Sequence, residues 1–280
     1  MNTRNINSKI WVGPLARSLQ DLYGYSRSPV TLFTDKANEI RKLTGVAGPA
    51  FNPFCYADKL GIVVEEKAGM ALDGVLRKTE SGRFVVWLNK RASRRRKNFT
   101  LAHEISHTFF YEILHHRRNP HRIDGVDEEE ERLCDIGATE LLMPATNFRM
   151  DAAAAGDVTP ETLFNLIKAY DVSLEAVASR LVQLLQVAYI IWEKSDGTII
   201  PKQVRPYFMK RVLLCETGRS SVERAFTTPG KLFIGNDSFY GIKEKSRIRR
   251  RTSSMGLVGN RSISIIPNIA DLYAYSSPDV

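Results

Sequence analysis

Two kinds of hydrophobic pattern follow one another along the chain. In the first two thirds, apolar residues recur every three or four positions in several segments, which is the spacing of an amphipathic helix. The predicted helices are Thr34–Thr44, Phe51–Leu60, Asn98–Leu114, Glu128–Met143, Pro160–Tyr170 and Leu174–Leu185. Short apolar runs predict three strands, at Ile62–Glu65, Gly74–Arg77 and Phe84–Asn89. After Ala188, β-rich runs alternate with Gly, Pro, Ser and Asp, so we expect strands to dominate there.

These patterns predict an α+β protein with four parts. Residues 1–30 show no clear periodicity and are predicted to form a loose N-terminal arm. Residues 31–150 combine helices and strands in one mixed domain. Residues 151–187 contain two short helices joined by Asp171-Val172-Ser173, which is the size and turn of a helix-turn-helix. Residues 188–280 form the β-rich C-terminal domain.

The composition is that of an ordinary globular protein, with 43% hydrophobic and 25% charged residues in a chain of 280. The longest apolar stretch, Leu181–Trp192, is shorter than the roughly 20 residues that cross a bilayer. The first residues lack the apolar segment of a secretion signal. Three widely spaced cysteines without a CxxC pair favour a reducing compartment and argue against a thiolate zinc site. We therefore expect a cytoplasmic protein without membrane association.

Basic residues are unevenly distributed. The formal net charge is +9, and +7 of it lies in residues 188–280, which permits a polyanionic partner such as nucleic acid. One basic run, residues 91–97 (RASRRRK), is interpreted as a solvated loop, with docking of an acidic substrate or nucleic acid as the alternative. The other, residues 247–251 (RIRRR), is interpreted as a charged turn or edge strand, with nucleic-acid binding as its alternative.

The strongest chemical signal is the segment His103-Glu104-Ile105-Ser106-His107. Two histidines four residues apart lie on one face of a helix, so both imidazoles can reach one metal ion. Glu104 follows the first histidine directly, where its carboxylate can hold and deprotonate an attacking water without occupying the metal. This is the HExxH pattern of zinc hydrolases. Phe110 and Ile113 stand where a metzincin would require Gly and His, which excludes that class.

A catalytic zinc needs a third protein ligand, and the helix predicted at Glu128–Met143 offers candidates. Four glutamates open this helix, and most of them are interpreted as negative residues favoured by the helix dipole. Glu131 alone has an acid at i+4, Asp135, which can accept the free ring N–H of a liganding histidine. Glu131 is therefore the preferred ligand, with Glu128 or His121 next in order, and Asp135 is the predicted partner of a liganding imidazole.

The segments FTLAHEISHTFFYE and EERLCDIGATELLMP together resemble the ImmA/IrrE family of HExxH metallopeptidases. The upstream segments FCYADKLGIVVEE, DGVLRK and FVVWLN are also similar, and the resemblance covers Thr31–Leu185. It implies a gluzincin-like metallopeptidase domain, with metal ligands His103, His107 and Glu131 and Glu104 as the base. It also implies one metal ion of the zinc type, for which Zn²⁺ is expected and Mn²⁺ is the alternative.

The family resemblance further implies an endopeptidase that cleaves a helix-turn-helix transcriptional repressor. Two alternatives remain at this point. One is a non-catalytic regulator that binds DNA or a repressor and carries a structural metal site. The other is a toxin-like partner of a helix-turn-helix antitoxin.

Two further features have ordinary interpretations. The helix at Leu174–Leu185 exposes few side chains suited to reading bases, so the helix pair is interpreted as a packing module rather than a DNA-binding one. Cys134, one turn from Glu131, is interpreted as a buried core residue, with a redox sensor as the alternative.

Overall fold

A computed structural model of the chain describes residues 14–24, 27–113, 128–205, 212–215, 220–241 and 246–267. The described residues fall into two compact units. The first contains the residues up to Ala145 together with Ala169–Ser173, and the second contains Thr146–Lys168 together with the residues from Leu174 onward. Both units mix helices and strands, so the predicted α+β class is confirmed.

Five helices and three strands make up the described part of the first unit. The helices are α1 (Pro14–Tyr23), α2 (Pro29–Thr44), α3 (Pro53–Lys59), α4 (Arg94–Ile113) and α5 (Glu128–Leu142). The strands are β1 (Val63–Lys67), β2 (Gly74–Lys78) and β3 (Phe84–Asn89). They form a sheet in the order β1-β3-β2, in which β1 runs parallel and β2 antiparallel to β3. Strand β2 therefore lies at an edge of this sheet.

Helices α4 and α5 pack directly on each other in the core of the first unit. Leu101, Ile105 and Phe109 of α4 are fully buried. Gly137 of α5 allows the close approach, because a Cβ at this position would lie only 2.6 Å from Ser106 Oγ. This close packing fixes the direction in which the α4 side chains next to α5 project.

The second unit contains the remaining helices and a six-stranded sheet. Its helices are α6 (Ala145–Ala154), α7 (Pro160–Tyr170), α8 (Leu174–Leu185) and α9 (Ser221–Thr227). Its strands are β4 (Ala188–Ser195), β5 (Thr198–Arg205), β6 (Val212–Leu214), β7 (Leu232–Gly241), β8 (Ser246–Leu257) and β9 (Arg261–Ile266). The strand order is β5-β4-β9-β8-β7-β6, with antiparallel pairing throughout. Its core includes Trp192, which stacks on Phe239 with ring centroids 6.1 Å apart.

Several helices begin earlier than the hydrophobic pattern predicts. Residues 14–23, expected to belong to a loose arm, form α1, which buries Leu19. Helix α2 begins at Pro29 rather than Thr34, because Ser28 caps it by accepting a hydrogen bond from the Thr31 N–H at 3.1 Å. A capping residue or a single buried side chain does not produce a repeating apolar pattern, so the hydrophobic pattern does not show where these helices begin.

Helix α4 begins at Arg94, so most of the basic run expected to be a solvated loop is its first turn. Positive charge at a helix N-terminus is unfavourable for the helix dipole. Acidic residues brought near by the tertiary fold offset this charge, and Asp171 contacts Arg94 at 2.7 Å. The further contacts are Arg95 with Asp171, Arg96 with Asp73, and Lys97 with Glu66. These ion pairs account for several charges that could otherwise have served an acidic partner.

The C-terminal pattern correctly predicts a β-rich region but misses α9, β5 and the second half of β8. The RIRRR run, residues 247–251, lies in the first half of β8. These residues pair with β7, whereas β9 pairs with Ser253–Leu257, so among the described strands this part of β8 is paired on one side only, in agreement with the edge-strand interpretation. The pattern hides this strand because its buried positions include hydroxyl residues, such as Thr252 and Ser254. Among its arginines, Arg251 pairs with Asp157 at 2.9 Å.

Candidate metal centre

The two histidines of the HExxH segment meet on the face of α4 that turns toward α5. Their Nε2 atoms lie 3.2 Å apart, and each side chain is about 15% exposed. The separation follows from helical geometry, since residues four apart stand one above the other. The fully buried residues Ile105 and Ser106 fix this part of the helix, so the imidazoles are held in place.

Glu131 of α5 completes a triangle with the two imidazoles. Its Oε2 lies 3.1 Å from His103 Nε2, and its Oε1 lies 3.6 Å from His107 Nε2. Ligand atoms bound at 2.0–2.2 Å to a tetrahedral zinc are separated by roughly 3.3–3.5 Å. The measured separations are close to this range, so these three side chains are one candidate ligand set for a divalent ion.

Both imidazoles are held from behind by carboxylates. His103 Nδ1 lies 2.9 Å from Asp135 Oδ1, and His107 Nδ1 lies 3.0 Å from Glu130 Oε1. An ionised carboxylate can only accept, so each Nδ1 donates and each Nε2 is left to face Glu131. Asp135 lies where the sequence predicted it. Glu130 was interpreted only as a dipole-favoured residue.

Cys134 is a second candidate for the third ligand. Its Sγ and one ring nitrogen each of His103 and His107 all lie within 4.8 Å of one another, so these three residues form a possible metal site. Cys134 is fully buried, and it follows Glu131 by three residues, which places both on one face of α5. That spacing is the sequence signal that could have identified it. The two other residues that the sequence offered as third ligand are not placed at the histidine pair by the structure. Glu128 is exposed, and His121 lies outside the described residues.

Glu104 lies between the histidine pair and strand β2. It is 8% exposed and accepts a hydrogen bond from the backbone N–H of Leu76. Burial raises the pKa of its carboxyl above the usual value, while His107, His103 and the Leu76 N–H act in the opposite direction. A buried carboxyl with a raised pKa is suited to accept and return a proton near neutral pH.

The metal-free centre favours a charged imidazole at His103. Burial lowers the pKa of this ring, but hydrogen bonds to Asp135 and Glu131 and the nearby negative charge outweigh it and raise the pKa to about 9. The surroundings of His103 therefore stabilise positive charge, which a divalent cation would supply in place of the proton.

The nearby histidines His115 and His116, which the sequence favours as surface residues, lie outside the described residues. Within the part of the chain that the structure describes, no helix is long and apolar enough to span a membrane.

A helix that carries two imidazoles, packed against a helix that carries their carboxylate partners, brings together the donor groups of a metal centre. Residues 57–182 match the IrrE N-terminal-like domain of a peptidase family, which supports the ImmA/IrrE resemblance of the motifs.

Individual relatives match less of the chain. The radiation response metalloprotease IrrE of Deinococcus deserti is 38% identical over 64 residues, which are 22% of this chain and 23% of that protein. The alignment thus spans about a quarter of that relative. A transcriptional regulator from Mycobacterium tuberculosis is similar in structure with a TM-score of 0.47 and 16% identity, over 89% of this chain and 80% of that one.

Proposed function

We propose that this protein is a metal-dependent endopeptidase whose single ion, Zn²⁺ or Mn²⁺, is held by His103, His107 and Glu131. The observation that carries the proposal is the approach of the Glu131 carboxylate to the histidine pair. Its Oε2 lies 3.1 Å from His103 Nε2, its Oε1 lies 3.6 Å from His107 Nε2, and the two Nε2 atoms lie 3.2 Å apart. Glu104 lies beside this cluster with a raised pKa, where a hydrolase requires a base. This ligand arrangement, with two histidines on one helix and a glutamate on a second helix, is gluzincin-like.

The metal supplies Lewis acidity toward the scissile carbonyl and toward water. The protein's own residues supply the proton transfers. The Glu104 carboxylate takes the proton of the attacking water and returns it to the leaving amine. Asp135 keeps the proton of His103 on Nδ1, so Nε2 remains available as a ligand.

Strand β2 is the proposed guide for the substrate backbone. It lies at the edge of its sheet, and its Leu76 contacts Glu104 through the backbone N–H. An extended peptide that adds to such an edge forms main-chain hydrogen bonds independent of its sequence. Its scissile bond would then pass close to Glu104.

The proposed substrate is a helix-turn-helix transcriptional repressor, which the protein cleaves in the cytoplasm to derepress its genes. The match of residues 57–182 to the IrrE N-terminal-like domain supports this choice, and the Deinococcus relative is named a radiation response metalloprotease. The helix pair α7–α8 has helix-turn-helix-like dimensions, and the basic β-rich residues 188–280 could add docking surface for the repressor or for nucleic acid.

The direct test is incubation of the protein with the repressor encoded next to it, with Zn²⁺ or Mn²⁺ added and products read by gel and mass spectrometry. Glu104→Gln is the matched variant, because it keeps the shape and the metal ligands but cannot take the proton. We expect one cut by the wild type and binding without cleavage by Glu104→Gln. Equal cleavage by both would refute the mechanism.

A non-catalytic regulator is the second candidate, and the exposed Arg249 and Arg251 of β8 favour it. These guanidinium groups could contact phosphates, although Arg251 also pairs with Asp157. Binding of the repressor or DNA without cleavage, under every metal tried, would support this candidate. Growth arrest on expression of the protein alone, equal for wild type and Glu104→Gln, would instead support a toxin-like partner of an antitoxin.

A further inference from the structure

Two carboxylates of helix α5 contact the two imidazoles, and in the sequence one precedes Glu131 and the other follows it. Glu130 Oε1 lies 3.0 Å from His107 Nδ1, and Asp135 Oδ1 lies 2.9 Å from His103 Nδ1. The two contacts are nearly equal in length. The two carboxylates differ in solvent exposure, and the exposure determines how strongly each hydrogen bond affects its imidazole ring.

Burial separates the two pairs. The Glu130 side chain is 13% exposed, whereas the Asp135 side chain is 56% exposed. Water and salt screen a charge-assisted hydrogen bond at an exposed carboxylate far more than one at a buried carboxylate. The bond between Glu130 and His107 therefore has the larger effect on its ring, although the spacing of the sequence draws attention to Asp135.

We infer that Glu130 is a positioning residue of the metal centre: its carboxylate holds the His107 proton on Nδ1 and aims Nε2 at the ion. This inference rests on the proposed function, in that it takes His107 as a ligand. Glu130 itself faces the ring from the side opposite Nε2, so it acts through His107. Of the two carboxylates, Glu130 contributes more to metal affinity than Asp135 does.

The expected effect follows from what such partners do elsewhere. Loss of a carboxylate behind a liganding histidine typically weakens metal binding by about 10–100-fold. Glu130→Gln leaves a neutral acceptor in the same place, and charge-assisted hydrogen bonds are roughly twice as strong as neutral ones. We expect Glu130→Gln to weaken binding by at least about 10-fold, and Glu130→Ala to weaken it further.

The experiment measures the Zn²⁺ dissociation constant of the full chain by competition with a chromophoric chelator. Glu128→Gln is the matched control, because Glu128 is an exposed glutamate of the same helical turn. Asp135→Asn provides the comparison of the two carboxylates, with an expected loss below about 10-fold because its site is screened. The melting temperature of each metal-free variant is recorded to separate effects on the fold from effects on the ion.

A second measurement reports which ring nitrogen of His107 carries the proton. Nitrogen NMR of the metal-free protein should show the His107 proton on Nδ1 in the wild type and a mixed population in Glu130→Ala, with His103 unchanged. A purely structural role of Glu130 would leave this distribution unaltered. Glu130→Asp shortens the side chain while keeping its charge, so it should also weaken binding if contact with the ring is what counts.

The outcomes are distinguishable. Wild-type affinity in Glu130→Gln, or a larger loss in Asp135→Asn than in Glu130→Gln, would overturn the inference about Glu130. Unchanged zinc binding in a His103→Ala/His107→Ala double variant would instead show that the ion binds elsewhere, and the proposed metal centre itself would fail.

Discussion

Gly74 lies directly against Glu104: a Cβ built on residue 74 would come within 3.0 Å of Glu104 Oε1. The same Cβ would overlap with the Cγ2 of Thr100. Strand β2 therefore approaches α4 so closely that a side chain at position 74 would overlap with Thr100 and press on the carboxylate of the proposed base. We infer that glycine at position 74 serves the packing of the strand on α4 and the placement of Glu104.

Gly74→Ala should lower kcat by at least about 10-fold through displacement of Glu104, since misplacement of a catalytic group by about 1 Å has larger effects than this. Metal content should not change, because none of the three proposed ligands touches residue 74. Turnover of a cleavable substrate and elemental analysis check the two halves of this prediction. Thr100→Ser, added to Gly74→Ala, removes Cγ2 and should restore thermal stability without restoring turnover. Recovery of activity in the double variant would show that contact with Thr100, rather than displacement of Glu104, was responsible.

The third metal ligand is either Glu131 or Cys134, and the two assignments predict different effects of mutation. We expect Glu131→Ala to lose most of its bound metal and Cys134→Ala to keep it, because one Glu131 oxygen lies 3.1 Å from His103 Nε2 and the other lies 3.6 Å from His107 Nε2. Elemental analysis of the purified variants measures this. The Co²⁺-substituted protein gives an independent check, since a thiolate ligand produces an intense near-ultraviolet charge-transfer band. Such a band in the wild type, lost in Cys134→Ala, would identify Cys134 as a ligand.

The metal-free protein should lose stability as pH rises. The pKa of His103 is about 9 in the fold, against 6.5 for a free imidazole, so the folded state binds the proton more tightly. This contribution is fully present below pH 6.5 and disappears as pH rises through 9, and it is on the order of 3 kcal/mol. Urea unfolding of chelator-treated protein between pH 6 and 9.5 measures it.

Two controls accompany the pH series. His103→Gln cannot be protonated and should flatten the decline. Zinc affinity should follow the opposite trend and rise with pH, because the ion competes with the proton for His103. A metal-free wild type whose stability is constant or rises over this interval would contradict the assignment.

A buried hydrogen-bond chain should determine the stability of the second unit. Asp237 is 2% exposed and accepts from Ser221 N at 2.8 Å and from Ser221 Oγ at 2.5 Å. The chain continues from Ser221 to Ser254 at 2.9 Å, to Ser264 at 2.7 Å, and ends at Trp192 Nε1, 2.9 Å from Ser264. Asp237→Ala leaves buried donors unsatisfied and should cost about 1–3 kcal/mol for each of them.

Asp237→Asn is the matched variant, because its carbonyl can still accept from Ser221 N. Burial raises the pKa of Asp237 above its usual value, while its hydrogen bonds from Ser221 oppose the shift, so the folded state binds the carboxyl proton more tightly than the unfolded chain does. That contribution is present at low pH and is lost as pH rises through the raised pKa, so Asp237→Asn should show less of this dependence. Trp192 fluorescence during denaturation follows the unit. Equal stability of Asp237→Ala and wild type would exclude the chain as a stabilising element.

The elements that the sequence predicted well are those whose signal is local. Helices α7 and α8 occur with the predicted bounds, Pro160–Tyr170 and Leu174–Leu185, and β3 occurs at Phe84–Asn89. The repeating apolar pattern of each of these elements lies within its own segment, so it can be recognised without knowledge of the fold. By contrast, Arg94, which begins α4, pairs with Asp171, 77 residues away in the chain. A distant ion pair leaves no trace in a local pattern.

The metal-binding chemistry could be predicted from one segment of the sequence, because the geometry of a single helix places a histidine pair at i and i+4 on one face. The choice of Glu131 and Asp135 likewise rests on an i+4 spacing within one helix. Which carboxylate reaches which imidazole could not be predicted in this way, since that depends on how α5 packs against α4. The crossing brings Glu130 to His107, buries Cys134 beside the pair, and sets Gly74 against Glu104. These contacts join residues from different elements, and side-chain packing between elements fixes them rather than the period of any one element.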